Sequence, residues 1–249
     1  MTILTKDSLL FLEPHIAQLS TIDTLKKLSV TFPGQVTFST SFGAEDQVIT
    51  DLISKSGAAI SLFTLDTGRL FPETYTTWSK TINQYGIPVK AFYPDKKQLQ
   101  SYVTANGPNA FYQSVELRQK CCYIRKVAPL KKALENKAVW ITGLRAEHSG
   151  FRNNLQILEW DEECQLIKYN PLLHWTTDEV SSYIKQHGVP NNPLFEKGFV
   201  SIGCAPCTRA IQPGEDFRAG RWWWEDNSKK ECGLHTHQNN NTLNTLINE

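Results

Sequence analysis

Neither sign of charge dominates this chain: 26 Lys and Arg stand against 25 Asp and Glu, a formal net charge of +1. Such a balance provides no bulk field that would steer the protein to nucleic acid or a membrane surface. Any anion site must come from local placement of Arg and Lys. Long apolar runs are missing too, and no window approaches the roughly 18 apolar residues that a membrane helix needs. The opening stretch MTILTKDSLLFLEPHIAQL lacks the pattern of a secretory signal, because Asp7 and Glu13 interrupt its apolar run and no small-residue cleavage pattern follows. No internal repeat and no clear linker is visible. These absences lead to the expectation of a soluble, cytoplasmic chain in which thiols stay reduced. The six cysteines then need a reason other than disulfides.

What is present is an ordinary globular composition over 249 residues, enough for one large α/β domain with an appended tail. Residues 5–29 read as one or two amphipathic helices, with Leu9, Leu10, Leu12, Ile16, Leu19, Leu25 and Leu28 at helix-like intervals, and Pro33-Gly34 ends that block. QVTFST (35–40), AISLFTLD (59–66), PVKAFYP (88–94) and AVWITG (138–143) read as strands. Helices are predicted behind Gly43 to about Ile53, over 71–86 and around 121–135. The alternation implies a parallel sheet wrapped by helices. LQILEW and QLIKYNP read as a hairpin at the sheet edge. TTDE (176–179) is a capping-box pattern for a helix ending near Gly188. Beyond Asn191 the periodicity fades and the chain should be irregular.

Three features carry chemistry. Ser39-Thr40-Ser41-Phe42-Gly43-Ala44-Glu45-Asp46 lies between a strand and a helix, where free N–H groups and the helix dipole favour an anion. Leu65-Asp66-Thr67-Gly68-Arg69 ends the next strand, at the sheet edge where ligands of open α/β sheets bind. Cys121-Cys122 and Cys204-Ala205-Pro206-Cys207 form two pairs suited to a four-thiolate metal site, zinc or iron–sulfur. Zinc more often uses CxxC on both arms, whereas a vicinal pair suits a bulky cluster, since its two thiolates can reach different irons. Arg125 and Lys126 lie one helical turn beyond that pair, as counter-charges or as a solvated basic face. Cys164 reads as incidental. Cys232, flanked by Lys229, Lys230 and His235, is a nucleophile candidate, because nearby cations lower a thiol pKa.

The motifs SFGAEDQV (41–48), LDTGRLFPET (65–74), CCYIRKVAPL (121–130), TGLRAEHS (142–149), GCAPCTR (203–209), RAGRWWW (218–224) and ECGLH (231–235) resemble, in this order, the assimilatory sulfonucleotide reductases of the iron–sulfur type that act on adenosine 5′-phosphosulfate (APS). The resemblance implies a doubly wound, mostly parallel α/β sheet of the adenine-nucleotide α-hydrolase-like kind with an irregular C-terminal tail. The related ATP pyrophosphatases carry SGGxDS where this chain has SFGAED, which argues against ATP cleavage.

By the same resemblance, Cys121, Cys122, Cys204 and Cys207 hold one [4Fe–4S] cluster, with Lys126 beside it. Cys232 attacks the sulfate sulfur. Ser41, Gly43, Arg145, Arg218, Arg221 and His235 bind substrate, although any single Arg is more commonly a surface ion pair. The implied reaction is reduction of APS to sulfite and AMP through an S-sulfocysteine, with thioredoxin or glutaredoxin as a separate reductant, in sulfate assimilation and cysteine biosynthesis. A 3′-phosphorylated substrate (PAPS) or dual use is the nearest alternative. An ATP-dependent tRNA-thiolating enzyme and a non-catalytic redox sensor are more distant ones. The expected organisation is residues 1–30 as N-terminal helices, 31–215 as the nucleotide- and cluster-binding domain, and 216–249 as the segment with the catalytic cysteine. Monomer and homo-oligomer both remain open.

Overall fold

The computed structural model describes residues 5–148 and 155–225. Two helices come first, α1 (Asp7–Ile16) and α2 (Thr21–Thr31). Ser20 caps α2 by accepting from the Asp23 N–H at 3.1 Å. Their buried side chains Leu12, Ile16, Leu25 and Leu28 enter the same core as the sheet, so residues 5–31 are packed onto the main body. Leu10 and Leu19, expected among these apolar positions, are exposed instead, because Leu10 falls on the side of α1 away from Leu12 and Ile16 and Leu19 lies in the turn behind the helix.

The sheet has six strands: β1 (Val36–Ser39), β2 (Ser61–Leu65), β3 (Val89–Phe92), β4 (Val139–Ile141), β5 (Leu158–Asp161) and β6 (Leu166–Tyr169). Their order is β3-β2-β1-β4-β6-β5. All neighbours pair parallel except the β5/β6 hairpin. The chain walks outward from β1 through β2 to β3, then returns to the other flank of β1 with β4. The strand order therefore reverses at β1/β4, the switch point that leaves a crevice beyond the strand ends.

Helix α3 (Ala44–Ser56) follows β1 and is almost wholly buried, while α4 (Pro72–Tyr85) begins with proline in its first turn. Both stop at left-handed glycines, Gly57 and Gly86. The TTDE pattern forms a capping box between Thr176 and Glu179 at the start of α8 (Thr177–His187). Beyond it, short 3-10 turns replace regular elements.

Two elements were not legible in the sequence. Helix α5 (Lys96–Asn106) buries only Tyr102 and is otherwise polar, so its apolar period is faint. The predicted helix around 121–135 starts earlier, as α6 (Val115–Cys122), and is interrupted by a π turn (Tyr123–Val127) before α7 (Ala128–Leu134). Such widened turns recur at functional sites, because the extra residue re-aims side chains. No described helix is long and apolar enough to cross a membrane.

Candidate active site

A cavity of about 260 Å³ opens at the switch point, lined by the turns behind β1, β2 and β4 and by residues 195–221. In the first turn Phe42 is left-handed at φ 60°, fully buried, and stacked on Trp78 at 5.4 Å. That strained residue bends the chain so that Ser41 and Gly43 face the cavity. Asp46, inside the first turn of α3, accepts from both the N–H and the hydroxyl of Ser41, at 2.6 and 2.7 Å. Burial pushes its carboxyl up to about 6, with the Ser41 donors pulling the other way. The turn behind β4 crosses at Gly143, where a Cβ would stand 2.3 Å from Asp46 Oδ1.

One wall of the cavity is cationic. Lys126, Arg218 and Arg221 all line it. Arg221 is buried against Gly203, where a Cβ would come within 2.4 Å of its Nη2. Its Nε has no hydrogen-bond partner among the described residues. A buried guanidinium with an unused donor beside a cavity is prepared for an oxyanion.

Arg145 is placed differently from the expectation of a substrate contact. It is 1% exposed and does not line the cavity. It donates to Glu45 Oε1 at 2.9 Å, Glu147 Oε2 at 2.5 Å, the Trp175 carbonyl at 2.9 Å and Thr177 Oγ1 at 3.0 Å. Glu45 does line the cavity, so Arg145 reaches the site through it.

Cys121, Cys122, Cys204 and Cys207 come together around a second, smaller pocket with Arg69, Arg118, Arg125 and Lys126. The π turn carries the last two of these cations; Arg125 also donates to the Thr67 carbonyl at 2.5 Å. Cys204 sits 3.3 Å from Thr67 Oγ1, and the Ala205 N–H donates to the Arg69 carbonyl at 2.8 Å. The CAPC turn is thereby tied to the loop behind β2. Among the described residues none of the four is in a disulfide. Burial raises the Cys121 thiol and pushes Cys207 up to about 12, so each favours its neutral form unless a cation meets it.

Among the described residues no three His, Cys, Asp or Glu side chains are set to hold a single metal ion. The donor set of this pocket nevertheless suits a larger iron–sulfur group. It offers four sulfurs and four cations, with no carboxylate or imidazole in the lining. Lys126 lines both pockets and so stands between them.

Cys164 packs at the hairpin, its N–H donating to Asp161 Oδ1 at 2.8 Å and its thiol pushed up to about 12 by burial, far from thiolate character. Cys232 and His235 lie outside the described residues. Phe217, Arg218 and Arg221, beyond the expected boundary at 215, form part of the cavity wall. Asp46 and Gly143 also line the cavity, although residue type alone does not single them out. Gly143 lay within a quoted motif, but only its approach to Asp46 shows why glycine stands there.

The model of the phosphoadenosine phosphosulfate reductase domain matches residues 35–210. A protein of Agrobacterium fabrum named adenosine 5′-phosphosulfate reductase is 47% identical over 88% of this chain and 85% of its own length. One of the same name from Burkholderia cepacia is 49% identical over 81% of this chain and 80% of its own. The crystal structure of phosphoadenylyl-sulfate (PAPS) reductase from Candida auris, a phosphate complex, superposes with a TM-score of 0.70 at 27% identity, over 84% of this chain and 98% of that one. Candida glabrata FMN adenylyltransferase, at 15% identity and a TM-score of 0.52, covering 90% of this chain and 80% of its own, shares the fold alone. With the family model matched across all six strands and the whole lining of the cysteine pocket, and relatives nearly half identical, the chain belongs to the phosphoadenosine phosphosulfate reductase family of sulfur-group oxidoreductases.

Proposed function

We propose that this enzyme reduces APS to sulfite and AMP, with Cys232 as nucleophile and a thioredoxin-class dithiol as the separate reductant. One observation carries the reading: the cationic wall of Lys126, Arg218 and Arg221 stands in a cavity at the sheet's switch point, beside a four-cysteine pocket that Lys126 also lines. The relatives' names supply the substrate class.

In this reading the nucleotide phosphate lies at the Ser41–Gly43 turn, and the sulfate faces Arg218 and Arg221. Arg145 acts at one remove, holding Glu45 and with it the start of α3. His235 helps bind the phosphosulfate. The Cys232 thiolate attacks the sulfate sulfur. A sulfur–sulfur bond forms, the bond to the bridging oxygen breaks, and its electron pair leaves on AMP. The guanidinium and ammonium groups neutralise the charge that gathers on the departing oxygen. A reductant thiolate then attacks the Cys232 sulfur and releases sulfite. Its second thiol closes a disulfide, which accounts for the two electrons that sulfur gains. Cys121, Cys122, Cys204 and Cys207 would hold a [4Fe–4S] cluster; when bound, it supplies a polarisable, net-negative group that Arg125 and Lys126 balance. The work of the enzyme lies in sulfate assimilation and cysteine biosynthesis, in the cytoplasm.

The test is anaerobic purification followed by addition of APS or PAPS without reductant. The expected result with APS is one AMP per chain and a Cys232 heavier by a sulfo group, discharged as sulfite by reduced thioredoxin. Faster adduct formation from PAPS would reassign the substrate, and a sulfo group on Cys164 would refute the nucleophile.

A further inference from the structure

Residues 222–225 close against the helix that carries the first cysteine pair, and nothing in the sulfur chemistry above requires that closure. Trp222 is 1% exposed and left-handed at φ 41°. A bulky residue holds that conformation only where its surroundings enforce it. Its N–H donates to the Cys207 carbonyl at 3.2 Å, and its carbonyl accepts from the Glu225 N–H at 2.8 Å. The guanidinium groups of Arg118 and Arg221 each lie 4.8 Å from its ring centre, and that of Arg218 lies at 5.9 Å. One ring thus meets a cation of the cysteine pocket and two of the substrate cavity.

Glu225 completes the arrangement. It accepts from Arg118 Nε and Nη2 at 2.9 and 2.7 Å, and the two side chains are 1% and 4% exposed. Arg118 stands on α6 one turn before Cys121. A paired guanidinium–carboxylate fork fixes direction as well as distance. Burying such a pair costs so much desolvation that apolar side chains would serve stability as well or better. Its presence therefore points to geometry rather than to stability.

We propose that Arg118, Trp222 and Glu225 form a joint that fixes, relative to the cysteine pocket, the point from which the chain runs on to Cys232, seven residues beyond Glu225. Arg118 and Glu225 are positioning residues for sulfur transfer. The proposal rests on the APS-reductase reading. An effective concentration of thiolate at the sulfate depends on where its tether starts, so loosening that start lowers the transfer rate while the substrate's own contacts persist.

The experiment uses the iron-loaded enzyme and follows single-turnover formation of the Cys232 adduct from APS, APS affinity and iron content. Failure of the unaltered enzyme to form the adduct would remove the APS-reductase reading itself. With that established, Arg118→Lys and Glu225→Gln are each expected to slow adduct formation at least tenfold, with iron content retained and APS affinity within twofold. Glu225→Asp should recover part of the rate. The double variant should fall no further than the worse single one, because both act through one contact. Adduct rates within twofold of the unaltered enzyme in both single variants overturn the joint, as does a rate loss matched by an equal loss of affinity or iron. Should Glu225→Gln fail to fold, Arg118→Lys decides alone, since it keeps the buried charge and removes only the fork.

Discussion

Asp46 shows how far one side chain departs from its exposed behaviour. Its carboxyl is buried, accepts two hydrogen bonds from Ser41 and still sits near 6 rather than 3.8, because desolvation outweighs those bonds. A carboxyl raised in the folded state adds stability that is complete below its unfolded pKa and is lost as pH rises through about 6. The whole swing is about 3 kcal/mol, of which about 1 kcal/mol falls between pH 5 and 8. Asp46→Asn removes the titration. The unaltered protein is therefore expected to lose stability relative to Asp46→Asn as pH rises from 5 to 8, read as urea midpoints under anaerobic conditions. Midpoints that move in parallel across that range would contradict the raised value. Neighbouring Ser41 and Gly43 stand out in the sequence as small residues in a turn between a strand and a helix, and both line the cavity. The demand on Asp46 is not legible in the sequence, because it depends on what covers it.

At the scale of elements, the site is built from chain turns that meet only when the sheet is assembled. The turn behind β4 passes the first turn of α3 so closely that Gly143 leaves no space for a side chain, with Asp46 Oδ1 2.3 Å and Glu45 Cβ 3.2 Å from a Cβ placed there. Gly143→Ala must therefore push Glu45 and Asp46 aside. Overpacking of this kind costs about 1–3 kcal/mol. The expected outcome is a lower unfolding midpoint together with weaker APS binding, since the displaced turn is the one that carries Ser41. Unchanged binding would separate the phosphate turn from this contact. The strands, α3, α4 and α8 were readable because apolar spacing, Pro72, the stop glycines and the capping box all act locally. The π turn was not readable: Arg125 and Lys126 look like one more turn of helix in the sequence, whereas the structure sets both on the widened turn, in the lining of the cysteine pocket.

For the molecule as a whole, two cysteine pairs more than eighty residues apart converge on one pocket, which also receives Arg69 from the loop behind β2 and Arg118 from α6. The proposed cluster, held there, would join the central helical run to the C-terminal turns. Cys204→Ser is expected to lose iron (about four atoms per chain in the unaltered enzyme), the absorption near ~400 nm and sulfite formation together. It should also lower the unfolding midpoint, because the CAPC turn is tied to the loop behind β2. Full iron content in that variant would refute the ligand set. The N-terminal helices belong to this body as well, since Leu12 and Leu28 fill the core beneath the sheet.

The sequence by itself determined the alternation of strands and helices, the small-residue turn at Ser41–Gly43, the two cysteine pairs, the candidate nucleophile Cys232 and the family resemblance. All of these rest on local spacing or on residue type. Tertiary structure decided what depends on distant residues meeting. It set Arg145 behind Glu45, where charge pairing and burial hold it out of the cavity. It placed Lys126 between two pockets, and it buried Arg118 against Glu225 across 107 positions of chain. No spacing rule reaches that far, because a buried ion pair is selected by the geometry of desolvated neighbours, and that geometry exists only once β1, β4, α6 and the C-terminal turns have packed.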